Sequence, residues 1–333
     1  MQIFRAYERW LAVAGCFLIG LGSAKASHAP GEPDHAPKAS GLSSPAGTEQ
    51  EASVAKTRAP SLKPDVRSSA VVVMDAADSS ILYARNSTQP LPIASITKLM
   101  TALVVLESGE PLEETIEIQP EDCELEKPVY SRLTPGTRLT REELLRLALM
   151  SSENRAAQAL ARAHPGGLTA FVREMNAKAR ELGMKTARFA EPTGLSSHNV
   201  SSAKDLVKLV RAAAENPLIA QFSTEPHYTV VTPTHVLEYR NTNTLVEKPD
   251  WTIQVQKTGY TNAAGRCLVM QALIEERPIV MVLLNSFGKY TRVADARRIR
   301  RWLESTQPDT QLAGTDGVAA PAVSQPTRST TGI

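Results

Sequence analysis

Cysteine is scarce, with three residues in 333, at positions 16, 123 and 267. No Cys-x-x-Cys pair and no His-Glu-x-x-His stretch occurs, so the sequence carries neither of these common redox and metal signatures. Cys123 falls in an acidic loop and Cys267 in an apolar, strand-like run. A disulfide between them stays open, because the sequence does not fix their separation, and the simpler reading makes Cys267 a small buried core residue. Excess charge is also lacking. Thirty-seven Lys and Arg stand against 35 Asp and Glu, which excludes the electrostatic footprint of a nucleic-acid-binding protein. The basic residues cluster once, at Arg297, Arg298, Arg300 and Arg301, and Ile299, Trp302 and Leu303 among them mark the wet face of a terminal helix. Internal repeats are absent. The apolar run Leu11 to Leu21 is too short for a comfortable membrane span. With Arg5 and Arg9 before it and Ala24-Lys25-Ala26 after it, residues 1–26 read as a signal peptide. Val13-Ala14-Gly15-Cys16 resembles a lipoprotein acylation box, but the apolar segment before Cys16 is very short and continues past it, which favours cleavage after Ala26.

What is present is an ordinary globular composition, 42% hydrophobic and 22% charged. Residues 27–66 are rich in Ala, Pro, Ser and Gly and read as a flexible linker, with His28 and His35 solvated in it. Residues 306–333 repeat that composition as a disordered tail without an amphipathic stretch, so no firm membrane anchor is expected there. The folded part is expected over 67–305. It opens on a hairpin, Ala70 to Met74 and Ile81 to Ala84. Helical periodicity follows Ser95, and residues 110–225 read as a helical lobe. Within it Thr140 and Glu143 form a capping-box pattern before the helix to Met150. Further helices are expected at 154–163, 168–182 and 205–214. Strand character returns after Thr234, with β-rich runs at Trp251 to Gln256, Arg266 to Ile274 and Ile279 to Leu284, and a helix from Tyr290 to Ser305 closes the fold. The class is α+β: an antiparallel five-stranded sheet flanked by helices, with a helical lobe and a cleft between lobes.

Three short patterns carry chemistry. Ser95-Ile96-Thr97-Lys98 opens an apolar helix. Positions i and i+3 share a helix face, so an amine one turn on can reach the hydroxyl. A serine needs such a base, and a lysine serves only when its pKa is lowered. Ser152-Glu153-Asn154 lies between two helices, where a hydroxyl and an amide could face a cleft; a helix N-cap at Ser151 or Ser152 is the plainer reading. Lys257-Thr258-Gly259-Tyr260 ends a strand, where an ammonium, a hydroxyl and a bare Cα suit an extended peptide at a sheet edge.

In that order, Ser-x-x-Lys, Ser-x-Asn and Lys-Thr-Gly resemble the signature set of the penicillin-binding proteins and serine β-lactamases. The chain is similar to the low-molecular-mass penicillin-binding proteins that are serine DD-peptidases. The likeness extends to Glu191-Pro192-Thr193-Gly194-Leu195-Ser196 and Phe287-Gly288-Lys289-Tyr290, and within the family it points to the endopeptidases. The resemblance implies acylation of Ser95, with neutral Lys98 as base and Ser152 as proton relay. It implies substrate binding by Asn154, Lys257, Thr258 and Gly259, and an oxyanion hole from the backbone N–H groups of Ser95 and Tyr260. Lys98 is expected to be tuned by Lys257 and the helix end. The implied partners are peptidoglycan stem peptides and β-lactam antibiotics, in the periplasm, with no metal, no cofactor and no nucleic acid. DD-carboxypeptidase, β-lactamase and non-catalytic wall-binding module are the alternatives; Glu191-Pro192 resembles the Glu-Pro of one β-lactamase class.

Overall fold

The computed structural model describes residues 63–233 and 235–306. The signal peptide, Cys16, all but the last four residues of the expected linker, and the tail beyond Thr306 lie outside the described residues. Five strands form one sheet: β1 (Ala70–Asp75), β2 (Ile81–Arg85), β3 (Thr252–Thr261), β4 (Gly265–Ile274) and β5 (Arg277–Ser286). Their spatial order is β2-β1-β5-β4-β3, all antiparallel, so β3 forms one edge. Seven helices accompany them: α1 (Thr97–Glu107), α2 (Arg141–Met150), α3 (Asn154–Arg162), α4 (Gly167–Glu181), α5 (Ala203–Glu215), α6 (Pro217–Thr224) and α7 (Thr291–Thr306).

The middles of the central strands are continuous apolar runs, Ala70–Met74 in β1 and 279–284 in β5, because both faces of the sheet are covered. Along β1 and β5, Val72, Val280, Val282 and Leu284 join the core shared with α1 and α5. The alternating residues Val71, Val73, Ile279, Met281 and Leu283 join a second core under α7 with Ile299 and Leu303. Period-2 alternation thus sends consecutive apolar side chains into two different cores. Val66, at the end of the expected linker, is already buried in the second core. Just after it, the buried Asp295 carboxylate of α7 accepts the backbone N–H groups of Arg67 and Ser68 and the Ser68 hydroxyl, tying the entry of the chain to its last helix.

Four local details refine the sequence reading. The capping box is present, with Thr140 accepting from Glu143 N and Glu143 accepting from Thr140 N. Strand structure begins before Thr234, in a hairpin of His227–Val231 and Val236–Arg240. The helix α6 ahead of it starts at Pro217, with Asn216 accepting from Leu218 N and Ile219 N. Finally, β3 runs on to Thr261, so Lys257-Thr258-Gly259-Tyr260 lies within the strand rather than at its exit.

Candidate active site

Ser95 sits in a single 3-10 turn, Ala94–Ile96, that winds directly into α1. Lys98 follows one turn later, and its Nζ lies 3.1 Å from Ser95 Oγ. The amine also reaches Asn154 Oδ1 at 2.7 Å and the Thr193 carbonyl oxygen at 2.7 Å. Lys98 is fully buried. A neutral amine carries two N–H donors and one lone pair. Those donors match Asn154 and Thr193, which leaves the lone pair facing the serine O–H. Burial pushes the Lys98 pKa down to about 8, while the Glu191 and Glu153 carboxylates pull the other way. Desolvation is therefore the main tuner, where the sequence reading had named Lys257 and the helix end.

The carbonyl of Thr193 is held by a loop organised around Glu191. The Glu191 carboxylate accepts from Thr193 N at 2.7 Å, Gly194 N at 2.6 Å and Asn199 Nδ2 at 2.9 Å. Asn199 in turn donates to Thr97 Oγ1, and its carbonyl accepts Ile93 N. The loop thereby grips the Ser95 turn from outside, where Ala94 adopts a left-handed φ of 49°. Gly194 is wedged against that turn at φ +85°; a Cβ there would overlap the Ala94 carbonyl and lie 2.8 Å from Ser95 N. Thr193, Gly194 and Asn199 are site residues whose roles the sequence reading did not assign. Thr193 and Gly194 fall in the stretch that carried the family likeness and Asn199 lies three residues beyond it, but nothing there signals which groups the loop grips.

Ser152 has a left-handed φ of 63° in the link between α2 and α3. It caps neither helix. Ser151 ends α2, its hydroxyl donating to Leu147 O, and the Glu153 carboxylate caps α3 by accepting Arg155 N. Asn154, two residues on, is the amide that meets Lys98, so Ser152 belongs to the same junction.

On the opposite side the edge strand β3 lies against the Ser95 turn. A Cβ at Gly259 would stand 2.9 Å from Ile93 O and 3.1 Å from Ser95 N, so only a glycine lets strand and turn meet. Lys257 is fully buried and donates to the Thr258 carbonyl at 3.3 Å. Its pKa lies well below that of a free lysine, through burial first and then the charges of Lys98 and Arg292. Both amines are shifted downward chiefly because both are dry. The Thr258 hydroxyl is 2.6 Å from that of Thr242. Thr242 also donates its N–H to Met150 O at the end of α2, linking the Ser152 junction to the edge strand. Arg292 of α7 reaches the Gly259 carbonyl at 2.9 Å. Neither Thr242 nor Arg292 stands in a motif, so no local pattern points to them.

Cys267, paired with Gly259 across the strands, is a free buried thiol with its pKa raised to about 11 by burial. Cys123 is free as well, so the two form no disulfide. Among the described residues there is no His, Cys, Asp and Glu grouping that could hold a metal ion, and no helix is long and apolar enough to cross a membrane.

This arrangement is shared with known proteins. A family model described as D-alanyl-D-alanine carboxypeptidase matches residues 55–288. The chain is 50% identical over 248 residues to a D-alanyl-D-alanine endopeptidase of Pseudomonas aeruginosa, covering 74% of this chain and 80% of that protein. It is 48% identical over 256 residues to a D-alanyl-D-alanine endopeptidase of Escherichia coli, covering 76% and 83%. Among solved structures, a D-alanyl-D-alanine carboxypeptidase from Mycobacterium tuberculosis matches with TM-score 0.68 at 29% identity, over 76% of this chain and 96% of that one. The Streptomyces K15 DD-transpeptidase matches with TM-score 0.67 at 26% identity, over 72% and 98%. With a buried lysine against a half-buried serine, a second serine junction and a lysine-bearing edge strand in one place, and with these matches spanning most of the chain, the chain belongs to the D-alanyl-D-alanine carboxypeptidase family of serine DD-peptidases.

Proposed function

We propose that this protein is a D-alanyl-D-alanine endopeptidase that opens peptidoglycan crosslinks through an acyl-enzyme on Ser95. One observation carries the reading: Lys98 Nζ, fully buried, is held between Asn154 Oδ1 and Thr193 O with its third direction on Ser95 Oγ. Ser95 Oγ attacks the D-alanine carbonyl as its proton passes to neutral Lys98. The backbone N–H groups of Ser95 and Tyr260 face the developing oxyanion; a donor of this kind is commonly worth about 10²–10³ in rate. The proton moves on through Ser152 to the leaving amine, the C–N bond breaks, and the ester remains on Ser95. Water then attacks the ester as its proton passes to Lys98, the bond from the acyl carbon to Ser95 Oγ breaks, Lys98 returns the proton to that oxygen, and the free acid leaves. Lys257 and Thr258 hold the carboxylate on the leaving side, Asn154 holds the substrate amide, and Gly259 keeps the strand flat for an extended peptide. A β-lactam presents a strained amide to the same machinery and acylates Ser95. The reading also takes the chain as exported to the periplasm.

Endopeptidase is favoured over carboxypeptidase by identity: 48–50% to two named endopeptidases against 31% and 30% to carboxypeptidases of Bacillus subtilis and Escherichia coli. Glu191 spends its carboxylate on backbone donors of its own loop, which removes it as the water-activating base that the β-lactamase alternative requires. The test is direct. Crosslinked muropeptide dimers and uncrosslinked pentapeptides are digested separately and the products weighed. Preferential cleavage of the dimer supports the proposal, and release of terminal D-alanine alone supports a carboxypeptidase. Fluorescent penicillin should label the parent chain and not Ser95→Ala; absence of labelling from the parent would indicate a non-catalytic wall-binding module.

A further inference from the structure

The arginines of α7 do more than keep a helix wet. A groove of about 690 Å³ runs along that helix, between it and the segment that leads into β3. Four arginines line it against two carboxylates, Asp250 and Glu304. Arg298 is bound to the buried Asp295, and Arg300 is braced by Asp250 and Glu304 over the ring of Trp251. Arg297 and Arg301 are exposed and make no ion pair among the described residues. They stand one turn apart, where like charges repel. A fold of nearly balanced charge thus keeps two mutually repelling cations in a concave surface, which points to an anionic ligand.

The other end of the groove is aromatic. Tyr290 lines it and is 70% exposed; Phe287, in the loop before it, is 94% exposed. Neighbouring bare rings of this kind mark a binding surface. They stand at the catalytic end of the sheet. Ser286 pairs with Arg266, and Arg266 with Tyr260, so the loop begins two strand spacings, about 10 Å, from the strand that flanks Ser95. Arg292, in the first turn of α7, touches Gly259 directly.

We infer that this groove is an exosite for the peptidoglycan polymer itself. Carboxylates of a neighbouring stem peptide lie against Arg297 and Arg301, and sugar rings rest on Tyr290 and Phe287, while another stem peptide occupies the Ser95 site. The inference rests on the DD-peptidase reading and extends it from the scissile peptide to the strand that bears it. An anionic bilayer would also attract arginines, but a bilayer needs a convex or flat contact, and these cations line a concavity that suits an extended chain.

The experiment uses full-length Ser95→Ala protein, which binds without digesting, and purified insoluble crosslinked peptidoglycan as probe. Arg297→Gln/Arg301→Gln should weaken its sedimentation with that probe about tenfold and flatten the salt dependence of binding. Tyr290→Ala should weaken it less. In the Ser95 background, the same substitutions should leave penicillin acylation and cleavage of a soluble crosslinked dimer unchanged, and slow digestion of the insoluble polymer. Unchanged polymer binding by the double variant, with penicillin acylation intact, overturns the exosite and spares the enzyme. Should that variant be unstable, salt-insensitive binding by the parent overturns it equally. Loss of binding to phosphatidylglycerol vesicles with polymer binding retained assigns the groove to a membrane and overturns the inference. Failure of penicillin to acylate Ser95 removes the DD-peptidase reading and the exosite with it.

Discussion

Lys98 at the start of α1 and Lys257 on the edge strand are the same residue type, equally buried, in contrasting surroundings. Lys98 is met by three oxygens from three segments, and two carboxylates partly offset its desolvation. Lys257 has a longer bond to the adjacent residue's carbonyl, and its electrostatic neighbours are two cations. The first environment fixes an amine in place and leaves its protonation finely balanced. The second raises the positive potential along a strand edge while leaving the amine few partners of its own. One is the setting of a base and the other of an anion holder, and burial alone would not have separated them.

The sharpest way to break this contrast is to remove each amine. Lys98→Met should lower the penicillin acylation rate by about 10²–10⁴, the usual worth of a positioned general base. Lys257→Met should act mainly on KM for carboxylate-bearing substrates. Equal losses in kcat from the two variants would erase the distinction. Next in size is Gly194→Ala, which forces a Cβ into the Ala94 carbonyl. Its melting temperature should fall steeply, with a loss of at least ~2 kcal/mol, and labelling should fall with it.

The contrast also has a pH signature. Lys98 must be neutral to accept a proton, so kcat/KM should rise with pH and level off above about 8. Glu191 holds that value up, so Glu191→Gln should move the rising limb to lower pH, if the loop survives the exchange. A shift to higher pH would show that the carboxylate acts on Lys98 through geometry rather than charge. The smallest effect is expected at Thr242. Its hydroxyl lies 2.6 Å from that of Thr258; with Thr242 as the donor, the Thr258 proton is free for a substrate carboxylate. Thr242→Val should raise KM by about fivefold, one hydrogen bond's worth, with kcat little changed and recovery in Thr242→Ser.

Much of this was legible before any coordinates. Short apolar, β-rich runs announced the five strands, and Thr140 with Glu143 announced the start of α2. The three motifs named the candidate reacting groups because each owes its shape to local rules: i to i+3 spacing, a helix junction, a glycine in a strand. The assignment of Ser152 as cap or as free hydroxyl was not legible. That depended on Glu153 taking the cap instead, which goes with the left-handed turn at Ser152.

The amino-acid order by itself determined the fold class, and it singled out the candidate nucleophile, the amine one turn on and the edge strand beside them, since periodicity and short-range spacing are written in neighbouring residues. Tertiary structure alone decided what tunes the base. Desolvation of Lys98, the Glu191 loop that clamps the Ser95 turn, the Thr242–Thr258 pair and the groove along α7 all join residues far apart in the chain. Burial and charge depend on everything that surrounds a group in space, and no local pattern encodes that sum.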